Sequence, residues 1–338
     1  MRLVAAFSAF AWGVSSVAAA LPARALPCER DDALSETAAD IVLSGEELDR
    51  ARLLALARAH GFAGVALKAR EGLDQAAHVA WLRALAETAD GPLACGEAMG
   101  EGRRLVLVSV RGATLWHEGG RLRGRLSAGF HSPVLVIEDD AGRAVRRKVT
   151  ASALEAGVRL EKAGLRRVQL VAEGPLGPRP VAELPLLERP SSGVELAPSS
   201  PLSRTERTRP GLALLAEIDG LRRRAGALVL RPNELLATSA QRHARRVCET
   251  GQVAHRIQGG DDPVARLRAE HVEARSVGEA VARGASADGA LRAIIDSPSH
   301  RLTVTERRFT DAGIGQATDE KGHTCVVVLL AAWPRRIP

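Results

Sequence analysis

The 338-residue chain has no tyrosine, only five Phe and four Trp, and no C-x-x-C pair. Without aromatics spread among its basic residues it has no evident platform for stacking bases. Without a C-x-x-C spacing its cysteines are not expected to ligate a metal. No apolar run beyond the first twenty residues is long enough to span a bilayer, and no internal repeat is evident.

What is present is charge and length. The formal net charge is +7, which brings an anionic partner into consideration. The basic residues are nearly all Arg and are scattered along the chain, a texture that a GC-rich coding bias produces equally well. A nucleic-acid partner is therefore not expected, while an anionic lipid or cell-wall polymer stays as a reading that rests on charge alone. At a usual ~100–200 residues per domain, the length accommodates two domains and a linker.

Met1-Arg2-Leu3-Val4 opens a mostly apolar stretch through Ala20, with A-x-A triplets at 18–20 and 23–25. One positive charge, a short apolar core and a small-residue exit describe a secretory signal peptide, assigned to residues 1–25, with cleavage after Ala20 or Ala25 left open. A transmembrane anchor is disfavoured by Trp12, Gly13 and the serines, and lipidation by Pro27 ahead of Cys28. The expected location is secreted or periplasmic, with no anchor after cleavage.

Cys28, Cys95, Cys248 and Cys325 then lie in an exported chain, where an even count favours disulfides. Four cysteines allow three connectivities. Pairing within each half, Cys28 with Cys95 and Cys248 with Cys325, is the expectation.

Residues 26–188 read as an N-terminal α+β module. Ser44-Gly45-Glu46-Glu47 has the form of a capping box leading into a helix that runs to Gly61. The stripe Leu73, Ala77, Ala80, Trp81, Ala84, Leu85 predicts a second helix ending near Thr88, paired with the first. After about residue 100, the runs Arg104–Val110, Pro133–Ile137 and Val168–Val171, broken by Asp, Gly and Pro, predict a small β-rich unit. His60, His78, His117 and His131 are dispersed here and read as surface histidines. Residues 189–210, dense in Pro, Ser and charge, read as a linker.

From 211 to 338, helical stripes occur at Leu214, Ile218, Leu221 and at Leu236, Ala240, His243, Ala244, Val247, Cys248, followed by helical pieces at 264–269 and 286–295. Strands follow at Gly313–Gly315 and Cys325–Leu330, so the segment reads as α/β in layers.

Several short motifs fall here in a particular order: Asp219-Gly-Leu-Arg222, Leu236-x3-Ala240-x2-His243-Ala244, Ala254-His255, Pro263-x2-Arg266-Leu267, Val277-Gly-Glu279, Ser297-Pro-Ser-His300-Arg301 and Phe309-Thr-Asp-Ala-Gly-Ile-Gly315. Together they resemble the CAP superfamily (SCP/PR1-like) domain of bacterial type. The resemblance covers little over a third of the chain. It implies an α-β-α sandwich with a central antiparallel sheet and a cleft where His and acidic residues converge, the N-terminal helical pair and β-rich unit lying outside it.

In the best-equipped members of that superfamily two His and two Glu line the cleft, and some bind a divalent metal. The resemblance carries over His255, Glu279 and His300, a set suited to zinc with positions left for water. The second Glu has no counterpart, Ser297 standing near its place; Ala280, Ile294 and Thr303 also depart from the pattern. His255 and His300 thus read as structural or as ligands, and Glu279 as a ligand or a buried acid tying cleft loops together. Ser297 and Ser299 are explained by helix termination more simply than as nucleophiles.

The function expected from the resemblance is a noncatalytic binding module of the envelope or medium, with a lipid, a peptide or a wall polymer as ligand. The alternative is a metal-assisted, peptidase-like hydrolase.

Overall fold

The computed structural model describes residues 27–45, 48, 52–100, 102–160, 164–186, 210–257 and 259–333. The expected signal peptide and almost all of the expected linker lie outside them. Among the described residues no helix is long and apolar enough to cross a membrane. The chain divides into two compact units, one of residues up to 109, the other of residues 110–338 with 63–66 and 90–92.

The first unit holds β1 (Glu29–Arg30), α1 (Asp32–Leu43), α2 (Leu53–Ala59), β2 (Lys68–Glu71), α3 (Gln75–Thr88), β3 (Leu93–Gly100) and β4 (Arg103–Val110), its sheet in the order β1-β3-β4-β2. Asp31 caps α1 by accepting the Leu34 N–H. That helix buries Leu34, Ala38, Ile41 and Val42 against Ala94, Leu105 and Leu107. Ser44, expected to open a helix, closes this one: its N–H returns to Asp40 O and its hydroxyl to Ile41 O. The expected capping partner, Glu47, lies outside the described residues. Cys28 is bonded to Cys95 beside the parallel β1–β3 pairing. His78, expected at the surface, is buried.

The second unit begins with β-rich layers: β5 (Ala113–Glu118), β6 (Arg121–Leu126), β7 (His131–Asp139), β8 (Ala144–Lys148), α4 (Ala151–Ala156), β9 (Val158–Arg159), β10 (Leu165–Gly174) and β11 (Gly177–Pro185). They make a three-stranded sheet, β5-β6-β9, and a four-stranded one, β11-β10-β7-β8. Strand alternation sorts their side chains. Leu135 and Ile137 of β7 with Val168 and Leu170 of β10 join Leu115, Leu122 and Leu154 in one core. The alternate residues Val134, Val136, Glu138 and Arg167, Gln169, Val171 occupy the other face.

There follow α5 (Pro210–Arg224), β12 (Arg231–Pro232), α6 (Glu234–Thr250), α7 (Pro263–Ala269), β13 (Ser276–Gly284), α8 (Ala287–Asp296), α9 (Pro298–Val304), β14 (Asp311–Thr318) and β15 (Thr324–Ala332). The sheet order is β12-β14-β15-β13, with β13 and β14 antiparallel to β15 and the short β12 parallel to β14. β15 is covered on both faces and reads as an unbroken apolar run for that reason. Val326, Val328 and Leu330 pack with Leu214, Ile218, Leu291 and Ile294 of α5 and α8. Cys325, Val327, Leu329 and Ala331 pack with Leu236, Ala240, Val247 and Leu267 of α6 and α7. This is an α-β-α sandwich, and each such fully buried Val or Leu contributes roughly 1.5–3 kcal/mol.

Local chemistry fits the layers. Asn233 caps α6 by accepting from Leu235 and Leu236, and Gly251 ends it in the left-handed region. Gly313 and Gly315 let α6 lie directly on β14, since a Cβ on either would meet backbone at Ala237 and Ala240. Cys248 of α6 is bonded to Cys325 of β15. Arg222, wholly buried, donates to the carbonyls of Leu228, Val304, Glu306 and Phe309, while Asp219 accepts the Leu230 N–H. The first motif is thus a clamp on two chain turns.

Candidate functional site

β13 places Glu279 in register with Leu329 at the sandwich's edge strand, where its carboxylate is buried. Its Oε1 accepts from His255 Nδ1 at 2.9 Å, and its Oε2 is bonded to Arg266 of α7. Arg266 also donates to the carbonyls of His255 and Asp261, fixing the loop that carries His255. His243 of α6 comes to the same place, its Nε2 donating to Ala254 O at 2.9 Å and lying 3.9 Å from Glu279 Oε1. Burial holds the His243 imidazole below its usual pKa.

His300 enters from α9. Among the described residues it has no hydrogen-bond or ion-pair partner, and it is only partly buried, facing the cleft. Removal from water, with His255 nearby, nevertheless lowers its pKa to about 3, so the ring is neutral at any physiological pH.

The three expected metal ligands therefore share one cleft, but they are not arranged as a ligand set. Both oxygens of Glu279 are engaged, one by an imidazole N–H and one by a guanidinium whose fixed positive charge opposes a cation at that carboxylate. Among the described residues no three His, Cys, Asp or Glu form a group suited to hold a metal ion. The residues do not fit the zinc site that the resemblance implies.

The cleft does not open on bulk water alone, because the face of β7, β10 and β11 lies over it. Gln169 Oε1 accepts from Ser297 Oγ at 3.3 Å and from Ser299 N–H at 3.1 Å, and its Nε2 donates to Glu183. Glu138 accepts from Arg301 at 2.5 Å and from Arg167, which reaches on to Glu183 and to the Asp296 carbonyl. At the far end the Arg256 N–H donates to Leu176 O in the β10–β11 turn. Between these grips lies a cavity of about 480 Å³. His255, His300, Thr303 and Arg146 give it polar points, and Val134, Val136, Val171 and Val264 apolar ones. Arg146 donates to Thr303 Oγ1 and to the Ser299 carbonyl and, among the described residues, forms no ion pair.

Ser297 and Ser299 are spent on Gln169 and on each other, and among the described residues no base is bonded to either hydroxyl. The sequence reading missed His243, Arg266 and the whole overlying face. Charged residues at the ends of apolar strands, Glu138-Asp139 and Arg166-Arg167, were the available signal; nothing in the sequence said what they meet.

The model of the cysteine-rich secretory protein family (CAP) matches residues 215–330, the stretch that forms the sandwich and contributes His255, Glu279 and His300. Residues 215–330 are a CAP domain. Solved structures similar to the chain include an outer surface protein of Borrelia burgdorferi, 20% identical over 39% of this chain and 97% of its own, with a TM-score of 0.35. An extracellular SCP-domain protein of Bacillus anthracis is 13% identical over 65% and 67% (TM-score 0.34). A cysteine-rich secretory protein of Staphylococcus aureus is 13% identical over 65% and 68% (TM-score 0.29). No curated protein matches the chain.

Proposed function

We propose that the protein is exported and acts as a noncatalytic binding module, its ligand seated in the cavity between the CAP domain and the overlying β-sheet. The observation that carries this reading is the division of labour among the cleft's polar groups. Glu279, Ser297 and Ser299 are already satisfied by protein partners, which leaves no activated nucleophile and no general base poised beside one. His300, the unshared Nε2 of His255 and the Arg146 guanidinium remain for a guest.

The cavity falls within the roughly 300–1,000 Å³ usual for small-ligand sites. It suits a lipid chain, a short peptide or one unit of a wall polymer better than a folded partner. A neutral His300 offers one donor and one acceptor, Arg146 offers a charge, and the valines accept an apolar stem. Two disulfides suit an oxidising compartment outside the cytoplasm.

The test is capture of lipids, peptides and wall fragments by the full chain lacking residues 1–25, read by mass spectrometry, beside a Val136→Trp variant that fills the cavity. The expected result is a ligand held by the wild type and lost from the variant. Stoichiometric zinc, abolished in a His255→Ala/His300→Ala double variant and accompanied by turnover, would replace this reading with the metal-assisted hydrolase.

A further inference from the structure

A second concavity lies in the β-rich layers, away from the CAP cleft. It is an open groove of about 600 Å³ bounded by β6, β8, β9 and the start of α4, and its charged lining residues are Arg121, Arg147, Lys148 and Arg159. Among the described residues no carboxylate lines it, and none of the four cations forms an ion pair.

Composition does not account for this. Arginines elsewhere in this Arg-rich chain commonly meet acids: Arg103 with Glu71, Arg179 with Asp90, Arg231 with Asp311, Arg242 with Glu270 and Arg283 with Asp319. Around the groove two described acids are turned to other residues. Glu118, opposite Arg121 in the β5–β6 register, pairs with Arg123 at 3.3 Å, and Glu155 pairs with Arg125 at 3.5 Å.

Two of the guanidinium groups are held by backbone instead. Arg121 donates to Gly157 O at 2.9 Å and Arg147 to Arg159 O at 3.0 Å. A carbonyl orients a guanidinium without neutralising it, so the charge stays available for an anion and little ordering remains to be done on binding. Four like charges along one groove repel one another, and a ligand with several negative groups relieves that repulsion at several points at once.

We propose that this groove binds a linear polyanion bearing repeated phosphate groups. Its lining holds no aromatic side chain on which bases stack, which disfavours single-stranded nucleic acid. It is concave, and a bilayer plane would meet its rim before its floor. The inference does not depend on the cleft reading, because the groove shares no residue with the cleft.

The experiment titrates the full chain lacking residues 1–25 with long-chain inorganic polyphosphate at several salt concentrations. Three variants accompany it: Arg147→Ala/Lys148→Ala, the charge-conserving Arg147→Lys, and Arg245→Ala/Arg268→Ala, which removes two exposed charges from the CAP domain. The expected result is a loss of about tenfold or more in the first variant alone. Its slope of log K against log salt should be shallower by about 1.5, the release of counterions by two cations. Arg147→Lys, which keeps the charge but gives up the hold on the Arg159 carbonyl, should lose less than the double alanine variant, and a cleft variant, His300→Ala, should bind as the wild type does.

An equal loss in the Arg245→Ala/Arg268→Ala control would reduce the effect to net charge and overturn the proposal. Wild-type binding in the groove variant would overturn it too, as would stronger binding of single-stranded DNA or phosphatidylglycerol vesicles than of polyphosphate. All four groove positions are at least partly exposed to solvent. The variants are therefore expected to fold, which an unchanged melting profile checks.

Discussion

Arg301 of the CAP domain and Glu138 of β7 meet at 2.5 Å with both side chains almost wholly removed from water. The contact joins a cleft segment of the sandwich to the sheet above it, and Arg167 binds the same carboxylate from the sheet side. An ion network buried in this way stabilises little compared with an apolar substitute but is costly to break on one side. Glu138→Ala should lower unfolding stability by about 3–5 kcal/mol, because Arg301 and Arg167 would be left facing an empty site. Glu138→Leu/Arg301→Met should recover a large part of that loss. Denaturant unfolding of the three proteins decides, and a Glu138→Ala variant as stable as the wild type would show that the sheet does not depend on this contact.

Arg222 makes four hydrogen bonds to backbone carbonyls from a fully buried position. A lysine has three donors on a single nitrogen and cannot span carbonyls at Leu228 and Phe309 together. Arg222→Lys is expected to cost at least about 3 kcal/mol, from carbonyls left buried without a partner. Calorimetry should show the loss in the CAP-domain transition and leave the first unit's transition in place.

The Cys248–Cys325 bond ties α6 to β15 across 77 residues. For a loop of that length the restriction of the unfolded chain stabilises the fold by about 4 kcal/mol. Reduction, or Cys248→Ser/Cys325→Ser, should lower the CAP-domain melting temperature. Reducing Cys28–Cys95 should act on the first unit instead.

Three histidines make the protein sensitive to acid. His78, His243 and His300 all have pKa values below the usual 6.5, with burial the largest cause in each case. The unfolded chain therefore binds more protons than the folded one below that value. Stability is complete above about pH 6.5 and falls as pH drops toward the folded pKa values, that of His300 being about 3. The slope is at most about 1.4 kcal/mol per pH unit for each histidine. Among the described residues neither ring nitrogen of His78 has a hydrogen-bond partner. His78→Leu should thus remove that residue's share of the slope and raise stability at pH 7 as well. Urea unfolding at pH 7.5 and 5.0 measures both effects; an unchanged slope in His78→Leu would refute the assignment.

Much of the architecture was legible because it rests on local chemistry. The stripe from Leu236 to Cys248 is a helix because one face repeats every three to four residues, and the run from Cys325 to Leu330 is a strand because it is buried on both sides. The site was legible only in part. Motif order led to His255, Glu279 and His300, but the role of Glu279 depended on Arg266, thirteen residues away, and His243 passed for an ordinary helix-face residue.

Two sequence signals misled. Ser44 stands three residues before Glu47 as a capping box would require, yet it closes the preceding helix, because the same hydroxyl serves either end when a carbonyl is at hand. His78 was expected at the surface, yet it is buried on α3, whose periodicity alone does not say how deep its inner face is sunk.

Sequence alone determined what depends on neighbours along the chain: helix and strand periods and the order of motifs in the CAP domain. Only the tertiary structure decided which groups have their charge and hydrogen bonds already satisfied. Glu279 is taken by Arg266 and His255, Gln169 by Ser297 and Ser299, and Glu138 by Arg301, while Arg121, Arg147, Lys148 and Arg159 meet no acid among the described residues. The strength of these pairings depends on distance and on exclusion of water between residues as many as 163 positions apart, and neither quantity is written in the order of the residues.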